Sequence, residues 1–169
     1  KTMRIAQQLY EGVDIEGEGT VGLITYMRTD SLRLSEDALD AAKQFIVARY
    51  GADYYPPETR RFKAKANAQD AHEAIRPSNV ELTPELVRKS LTQEQYRLYK
   101  LIWSRFLSCQ MANAVYDSLS IDINAGPHLF RATHTEQKFS GFTAVYEASK
   151  DEEDGERNSP LPDLTEGEP

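Results

Sequence analysis

Apolar side chains recur three or four residues apart through much of the first part of the chain, which is the spacing of helices that bury one face. In residues 2–11, Ile5 and Leu9 lie four apart. The same spacing follows Ser35, a residue type that often caps helices, and it continues to Tyr50. The pattern therefore predicts two amphipathic helices within the first fifty residues.

The longest predicted helix covers about residues 93–111. Thr92 and Gln95 form the signature of a capping box at its start. A shorter helix is predicted to open at Thr83 and Pro84, because proline is favoured in the first helical turn. The stripe that we expect to be buried on the long helix consists of Leu98, Ile102, Phe106 and Cys109, widened by Tyr99, Leu101 and Trp103.

The period then changes from that of a helix to that of a strand. Leu119, Ile121 and Ile123 alternate with polar residues, so residues 115–123 are predicted to be a half-buried strand. Further strands are predicted over residues 129–136 and 141–147, with a turn between the first two. Helices followed by an antiparallel sheet place the chain in the α+β class.

Residues 13–20 are acidic and rich in glycine, and we predict a loop there. The six residues from Gly17 to Gly22 match the spacing of a dinucleotide-binding fingerprint. That fingerprint requires a strand before it and a helix after it, whereas a helix precedes it here. Glu18 would also repel a pyrophosphate, so the match is interpreted as a turn.

A second predicted loop covers residues 52–66 and ends in a run of bases. The run is either an ordinary solvated surface or a loop that contacts phosphates, since it leads directly to His72. Its members are Arg60, Arg61, Lys63 and Lys65.

Asn67 is expected to cap a short helix that Pro77 stops. On that helix His72 and Arg76 would lie four apart on one face. An arginine stands where a two-histidine zinc motif needs its second ligand, so no metal site is predicted. A lone histidine is more often structural than catalytic.

Charge is distributed unevenly. The net charge of −7 is unusual for a protein that binds DNA, but residues 150–169 alone contain eight acids and two bases. The single cysteine excludes a disulfide framework, and no apolar run approaches the roughly 20 residues of a membrane span. These features favour a cytoplasmic protein with no membrane partner, and an acidic, mobile loop or tail over residues 149–169.

The segment with the most distinctive chemistry surrounds Tyr26. In an extended backbone Tyr26 and Arg28 face the same side, opposite Leu23 or Met27. A guanidinium grips phosphate oxygens and favours the phenolate form of a neighbouring tyrosine. Such a pair suits attack on a phosphodiester; the alternative is a half-buried strand tyrosine without chemistry.

Three stretches together resemble the bacterial type IA DNA topoisomerase family. They are residues 1–12, the segment Ile24-Thr25-Tyr26-Met27-Arg28-Thr29-Asp30-Ser31, and Ala71-His72-Glu73-Ala74-Ile75-Arg76-Pro77. The second is similar to the active-site tyrosine segment of that family, and the resemblance extends to about residue 149. One departure is Asn113, where the family has proline at a hinge.

The resemblance implies a role for each site residue. Tyr26 would become joined to the 5′ phosphate of a broken strand, and Arg28 would hold the scissile phosphate. His72 would contact DNA near the site, and Asp30 would orient it. Arg76 and the basic run are expected to contribute to DNA binding.

The resemblance also implies an organisation. Residues 1–111 would be a helical domain carrying the tyrosine, and residues 112–148 antiparallel strands of an arch domain. The family uses magnesium bound by a separate domain that nothing here matches, so no cofactor is expected in this chain. Expected partners are single-stranded DNA and the remaining domains of the enzyme, at the bacterial nucleoid. The chain alone is expected to be inactive.

Two other classes of function remain open from the residues themselves. One is a non-catalytic module that binds single-stranded DNA through the basic loop and aromatic side chains. The other is a protein-interaction domain with an acidic tail. Covalent trapping of DNA on Tyr26 would distinguish the enzyme from the DNA-binding module. Salt-dependent DNA binding would distinguish the DNA-binding module from the protein-interaction domain.

Overall fold

A computed structural model describes residues 1–62 and 72–146. The chain divides into a helical unit, Lys1–Ala112, and a hairpin unit that begins at Asn113. Among the described residues, helices are the main regular structure of the first unit and antiparallel strands that of the second, so the predicted α+β class is confirmed. The division falls one residue after the predicted domain boundary at 111.

Over residues 1–62 and 72–112, the helical unit shows four α-helices, two 3₁₀ turns and one small hairpin. The helices are α1 Thr2–Glu11, α2 Glu36–Tyr50, α3 Pro84–Val87 and α4 Gln93–Gln110; the turns are Ala52–Tyr54 and Arg88–Ser90; the strands are β1 Val13–Ile15 and β2 Gly19–Val21.

The predicted helix starts agree with the structure because their signals are local. The Ser35 hydroxyl accepts a hydrogen bond from the Ala38 backbone N–H at 3.4 Å. Thr92 and Gln95 form the reciprocal capping box at the start of α4. At the other end of α1, the Gly12 N–H donates to Gln8 O, and its φ of 127° is a conformation that favours glycine.

Only part of the predicted stripe on α4 is buried, and Phe106 belongs to that part. Tyr99, Trp103 and Leu107 are buried, whereas Leu101 is 53% exposed. The Tyr99 hydroxyl donates to Leu82 O at 2.6 Å and the Trp103 indole N–H to Val80 O at 2.9 Å. These distant carbonyls satisfy the polar tips of both rings, which allows the rings to be buried.

The rest of the predicted stripe lines an open apolar groove of about 510 Å³. Leu98, Ile102 and Cys109 are half-buried there, and Met27 lies along the same groove. We name it the α4 groove, and its other lining residues are Met3, Ala6, Leu32, Leu34, Phe62, Ala74, Ile75, Leu101, Arg105 and Phe106.

Two predictions for the helical unit are wrong. The segment predicted as a loop over residues 13–20 contains the β1–β2 hairpin, with Val13 opposite Val21. Each strand is three residues long, too short for an alternating pattern to be visible. Residues 72–76 are not helical, because the Ala74 N–H donates to Arg33 O and the Arg76 N–H to the Thr25 hydroxyl, rather than to carbonyls within a helical turn.

The hairpin unit is built on one long antiparallel pair. Strand β3, Val115–Ala125, pairs with β4, His128–Phe139, around a turn where Gly126 has φ 59°. Both predicted strands are present and extend further than predicted. The third predicted strand is wrong over its described part, because Gly141–Ala144 forms a 3₁₀ turn whose Thr143 bonds to Ser140 O.

The two faces of the β3–β4 hairpin differ in polarity. On one face Ser118 faces Thr135, Ser120 faces Thr133, and Asp122 forms an ion pair with Arg131. The opposite face is mixed: it presents Leu119, Ile123 and Phe130, each more than half exposed, with Asp117 paired to Glu136 nearer its open end.

Several expectations fall on residues 63–71 and 147–169, which lie outside the described residues. They are the start of the helix predicted from Asn67, the lysines Lys63 and Lys65, and the mobile acidic tail. Within the described part of the chain, no helix combines the length and apolarity needed to cross a bilayer.

Candidate active site

The Tyr26 segment runs between the end of α1 and residues 74–78. The Leu23 N–H donates to Leu9 O at 2.7 Å, and Leu23 O accepts from the Ser78 N–H at 3.0 Å. Ile24 forms an antiparallel bridge with Pro77. Leu23 and Ile24 are almost fully buried, so this segment is anchored in the core immediately before Tyr26.

Thr25 fixes the same junction with both its backbone and its side chain. Its N–H donates to Arg76 O at 2.9 Å. Its hydroxyl donates to Ala74 O at 2.8 Å and accepts from the Arg76 N–H at 3.0 Å. Residues about fifty positions apart are therefore joined through one short polar side chain.

Tyr26 emerges from this anchored segment with 51% of its surface exposed. The Arg28 N–H donates to Tyr26 O at 2.9 Å, which closes a three-residue turn around Met27. The predicted continuous extended segment is thus interrupted at Met27. Tyr26 and Arg28 are both exposed, while the half-buried Met27 side chain lines the α4 groove.

Arg28 lies between two predicted site residues. Its Nη1 is 3.3 Å from His72 Nε2, and its Nε is 3.6 Å from Asp30 Oδ2. A guanidinium only donates hydrogen bonds, so His72 accepts through Nε2 and carries its ring proton on Nδ1. Nδ1 is buried and has no hydrogen-bond partner among the described residues. The structure therefore brings Arg28, His72 and Asp30 together.

Arg76 is directed into the chain rather than toward solvent. Its guanidinium is 14% exposed, bonds to Glu73 at 2.6 Å and donates to Pro77 O at 2.9 Å. Burial raises the pKa of Glu73, but hydrogen bonds from Ser35 and the charge of Arg76 outweigh it and hold that pKa below its usual value. The Glu73–Arg76 pair thus connects the His72 segment to the start of α2.

The basic loop is only partly described. Arg61 forms a two-point ion pair with Glu36 at 2.5 and 2.7 Å, and its hydrogen bond lowers the pKa of that exposed carboxyl. Arg60 also has an interaction partner within the protein. The two lysines of the run lie outside the described residues.

The described residues contain no group of three or more His, Cys, Asp or Glu side chains placed to hold a metal ion. No residue of this site is therefore assigned to the magnesium that the resemblance implies.

Sequence reasoning missed the contacts that support the tyrosine. The Tyr10 ring lies edge-on to the Tyr26 ring, with centroids 5.2 Å apart. At Gly22, an added Cβ would stand 2.6 Å from the backbone oxygen of Tyr10, so the close approach of α1 requires glycine. Neither contact has a local sequence pattern, because each joins two segments that meet only in the folded chain.

The exposed phenol of Tyr26 can act as a nucleophile toward a phosphate. The Arg28 guanidinium, which His72 and Asp30 orient, can bind that phosphate. The family model described as DNA topoisomerase matches residues 1–169, and the chain belongs to that family.

Within the family it is a bacterial type IA member. The solved full-length topoisomerase I from Thermotoga maritima is 37% identical, with a TM-score of 0.76. The match covers 99% of this chain and 26% of that one, so this chain spans about a quarter of its length.

Proposed function

We propose that this chain is the tyrosine-bearing part of a larger type IA topoisomerase that cuts and reseals single-stranded DNA. The observation that carries the proposal is an exposed Tyr26 on a buried anchor, followed by an Arg28 that His72 and Asp30 hold in place. A rigid support for an exposed nucleophile is what positioning a phosphodiester requires.

In the proposed cleavage step the Tyr26 oxygen attacks the scissile phosphorus and loses its proton. A tyrosine–phosphate bond to the 5′ side of the break forms, and the bond to the 3′ oxygen breaks. That oxygen takes up a proton and leaves as a 3′-hydroxyl. Resealing is the reverse reaction, because the tyrosine–phosphate bond keeps the energy of the phosphodiester. Between cleavage and resealing, passage of a strand through the break relaxes negative supercoils.

Arg28 neutralises the charge that develops on the attacked phosphate, because its fork can contact two phosphate oxygens. His72 and Asp30 restrict the rotation of this long side chain. In this proposal His72 contacts DNA beside the break and assists a phosphate or a proton transfer, while its Nε2 lies against Arg28. Asp30 remains half exposed and acts by orienting the guanidinium.

DNA binding extends from this centre to the basic residues. Arg60, Arg61, Lys63 and Lys65 contact phosphates outside the break in this proposal, where Arg61 exchanges its pairing with Glu36 for DNA. Arg76 stays a predicted DNA contact, and its bonds to Glu73 and Pro77 support an indirect contribution through the His72 segment.

Magnesium in the complete enzyme supplies further neutralisation of phosphate charge when bound, and we assign it to a domain outside this chain. The complete enzyme acts on DNA in the bacterial cytoplasm, at the nucleoid. The chain alone is expected to relax no supercoiled plasmid, because Arg28 and His72 by themselves neutralise only part of the charge on the transferred phosphate.

The test is covalent trapping with the full-length protein. A single-stranded oligonucleotide labelled at its 3′ end is incubated with the protein, and denaturing gels show label that migrates with the polypeptide. Tyr26→Phe should abolish this adduct and leave the unfolding midpoint unchanged, because the Tyr26 side chain is half exposed.

The matched control is Tyr116→Phe, which removes the same oxygen from a tyrosine of similar exposure in the hairpin unit and should keep the adduct. An adduct that persists in Tyr26→Phe would assign the nucleophile elsewhere. DNA binding by a parent protein that forms no adduct would favour the non-catalytic binding module.

A further inference from the structure

The ring of Tyr10 contacts the proposed nucleophile from the last turn of α1. The two ring planes meet at 62°, with centroids 5.2 Å apart. This is the edge-to-face arrangement that aromatic pairs prefer. We propose that Tyr10 is a positioning residue of the reaction, whose ring holds the Tyr26 side chain in the orientation from which its oxygen attacks. The inference rests on the proposed function.

Tyr26 needs such support because no described residue forms a hydrogen bond with its side chain. The residue is 51% exposed, and the anchor formed by Leu23, Ile24 and Thr25 fixes only the backbone that precedes it. An exposed tyrosine distributes itself among staggered side-chain rotamers. A neighbouring ring on one side favours one of them and leaves the hydroxyl accessible to DNA.

The position of Tyr10 is itself fixed by the backbone. Leu9 is completely buried, and its carbonyl accepts from the Leu23 N–H at 2.7 Å. The Tyr10 carbonyl, one residue after Leu9, approaches Gly22, one residue before Leu23, so closely that a Cβ there would stand 2.6 Å from it. Tyr10 and Tyr26 are thus held on two segments that cannot move apart without breaking the Leu23–Leu9 hydrogen bond.

Removal of the Tyr10 ring should change the rate of cleavage and not the affinity for DNA. When the ring is removed, the Tyr26 oxygen occupies the attacking orientation for a smaller fraction of the time, so the cleavage rate constant falls. We expect a decrease of about three- to tenfold, the range set by the strength of an aromatic pair. The dissociation constant for single-stranded DNA should stay within about twofold of the parent value.

The experiment measures single-turnover cleavage and DNA affinity separately in the full-length protein. Tyr10→Phe keeps the ring and should cleave at the parent rate. Tyr10→Ala and Tyr10→Leu remove it, and both should show the slower rate constant with parent affinity. Tyr50→Ala is the matched control, because it removes a ring from a tyrosine pair at 5.8 Å between Tyr50 and Tyr54, and it should change neither quantity.

Three outcomes would overturn the inference. Parent rates in Tyr10→Ala and Tyr10→Leu would show that the ring does not position Tyr26. A slow Tyr10→Phe would assign the effect to the hydroxyl. A weakened DNA affinity with an unchanged rate constant would make Tyr10 a base-stacking contact. Each is distinct from failure of the proposed function, in which the parent protein forms no adduct at all.

Discussion

The two units of this chain bury their apolar residues to very different extents. In the helical unit Leu9, Leu23, Ile46, Tyr99 and Leu107 are completely inaccessible. In the β3–β4 hairpin, most of the large apolar side chains are half exposed or more, and only Ile121 and Phe139 are partly covered. The first unit encloses a core of its own, whereas an isolated two-stranded hairpin is marginally stable at best. The candidate site lies on the unit that can hold a side chain rigidly.

The largest expected effect is on the core of the helical unit. Leu107→Ala should lower its free energy of unfolding by about 3 kcal/mol, because it leaves a cavity at a fully buried position. Fluorescence of the single tryptophan, Trp103, reports this unit, since its ring packs edge-on to Phe45 at 5.6 Å. Denaturant titrations followed at that signal measure the change.

The matched variant in the hairpin is Leu119→Ala, at a position 52% exposed. It should change the unfolding measured at Trp103 by less than about 0.5 kcal/mol. Equal changes in the free energy of unfolding from Leu107→Ala and Leu119→Ala would contradict the difference in burial between the two units. They would mean that both units unfold in one cooperative transition.

A smaller effect is expected from the half-buried ion pair of the helical unit. Glu73→Gln should cost about 1–2 kcal/mol at neutral pH, because it removes the charge that Arg76 and Ser35 stabilise. The folded state lowers the pKa of Glu73, so this stabilisation is present above the usual value near 4.5 and is lost as the pH falls through the lowered pKa.

Denaturation of Glu73→Gln and the parent protein at several pH values tests this dependence. The difference in free energy of unfolding between the two proteins should be largest at neutral pH and should disappear in acid. A difference that stays constant down to pH 3 would show that the ionised form of Glu73 does not stabilise the fold.

The smallest effect is expected from the corresponding pair in the hairpin, Asp122–Arg131. The hydrogen bond from Arg131 lowers the pKa of Asp122, although both side chains are exposed to solvent. Arg131→Ala should raise that pKa toward its usual value, as followed by NMR, and leave the unfolding midpoint unchanged. A clear loss of stability would show that surface pairs support this hairpin.

The features that local sequence determines were predictable. Ser35 and Thr92 begin their helices because each cap depends on residues within three positions. The buried face of α4 was predictable only in part. Tyr99 and Trp103 belong to the predicted stripe and are buried, but the carbonyls of residues 80–82 that accept their hydrogen bonds have no local sequence signal. The predicted strand after Gly141 failed for a similar reason: pairing depends on a neighbour, and local turn bonds satisfy this backbone instead.

The candidate site shows the same division. Tyr26 and Arg28 could be selected from their own segment, but nothing near His72 indicates that its ring reaches Arg28. That expectation rested on the resemblance to a family, and the contact at 3.3 Å is formed by chain segments 44 residues apart. Tyr10 was missed because an aromatic residue at a helix end has many ordinary explanations.

The clamped backbone of Leu23 has a mechanical consequence. In the proposed adduct a DNA strand is tethered to Tyr26, and any tension in that strand pulls on the chain three residues after Leu23. The Leu23 N–H and carbonyl bond to two different neighbours, Leu9 and Ser78, and Thr25 adds bonds to Ala74 and Arg76. The load is therefore divided among several segments of the helical unit, so a pull on the tether displaces that unit as a whole before it extracts the tyrosine.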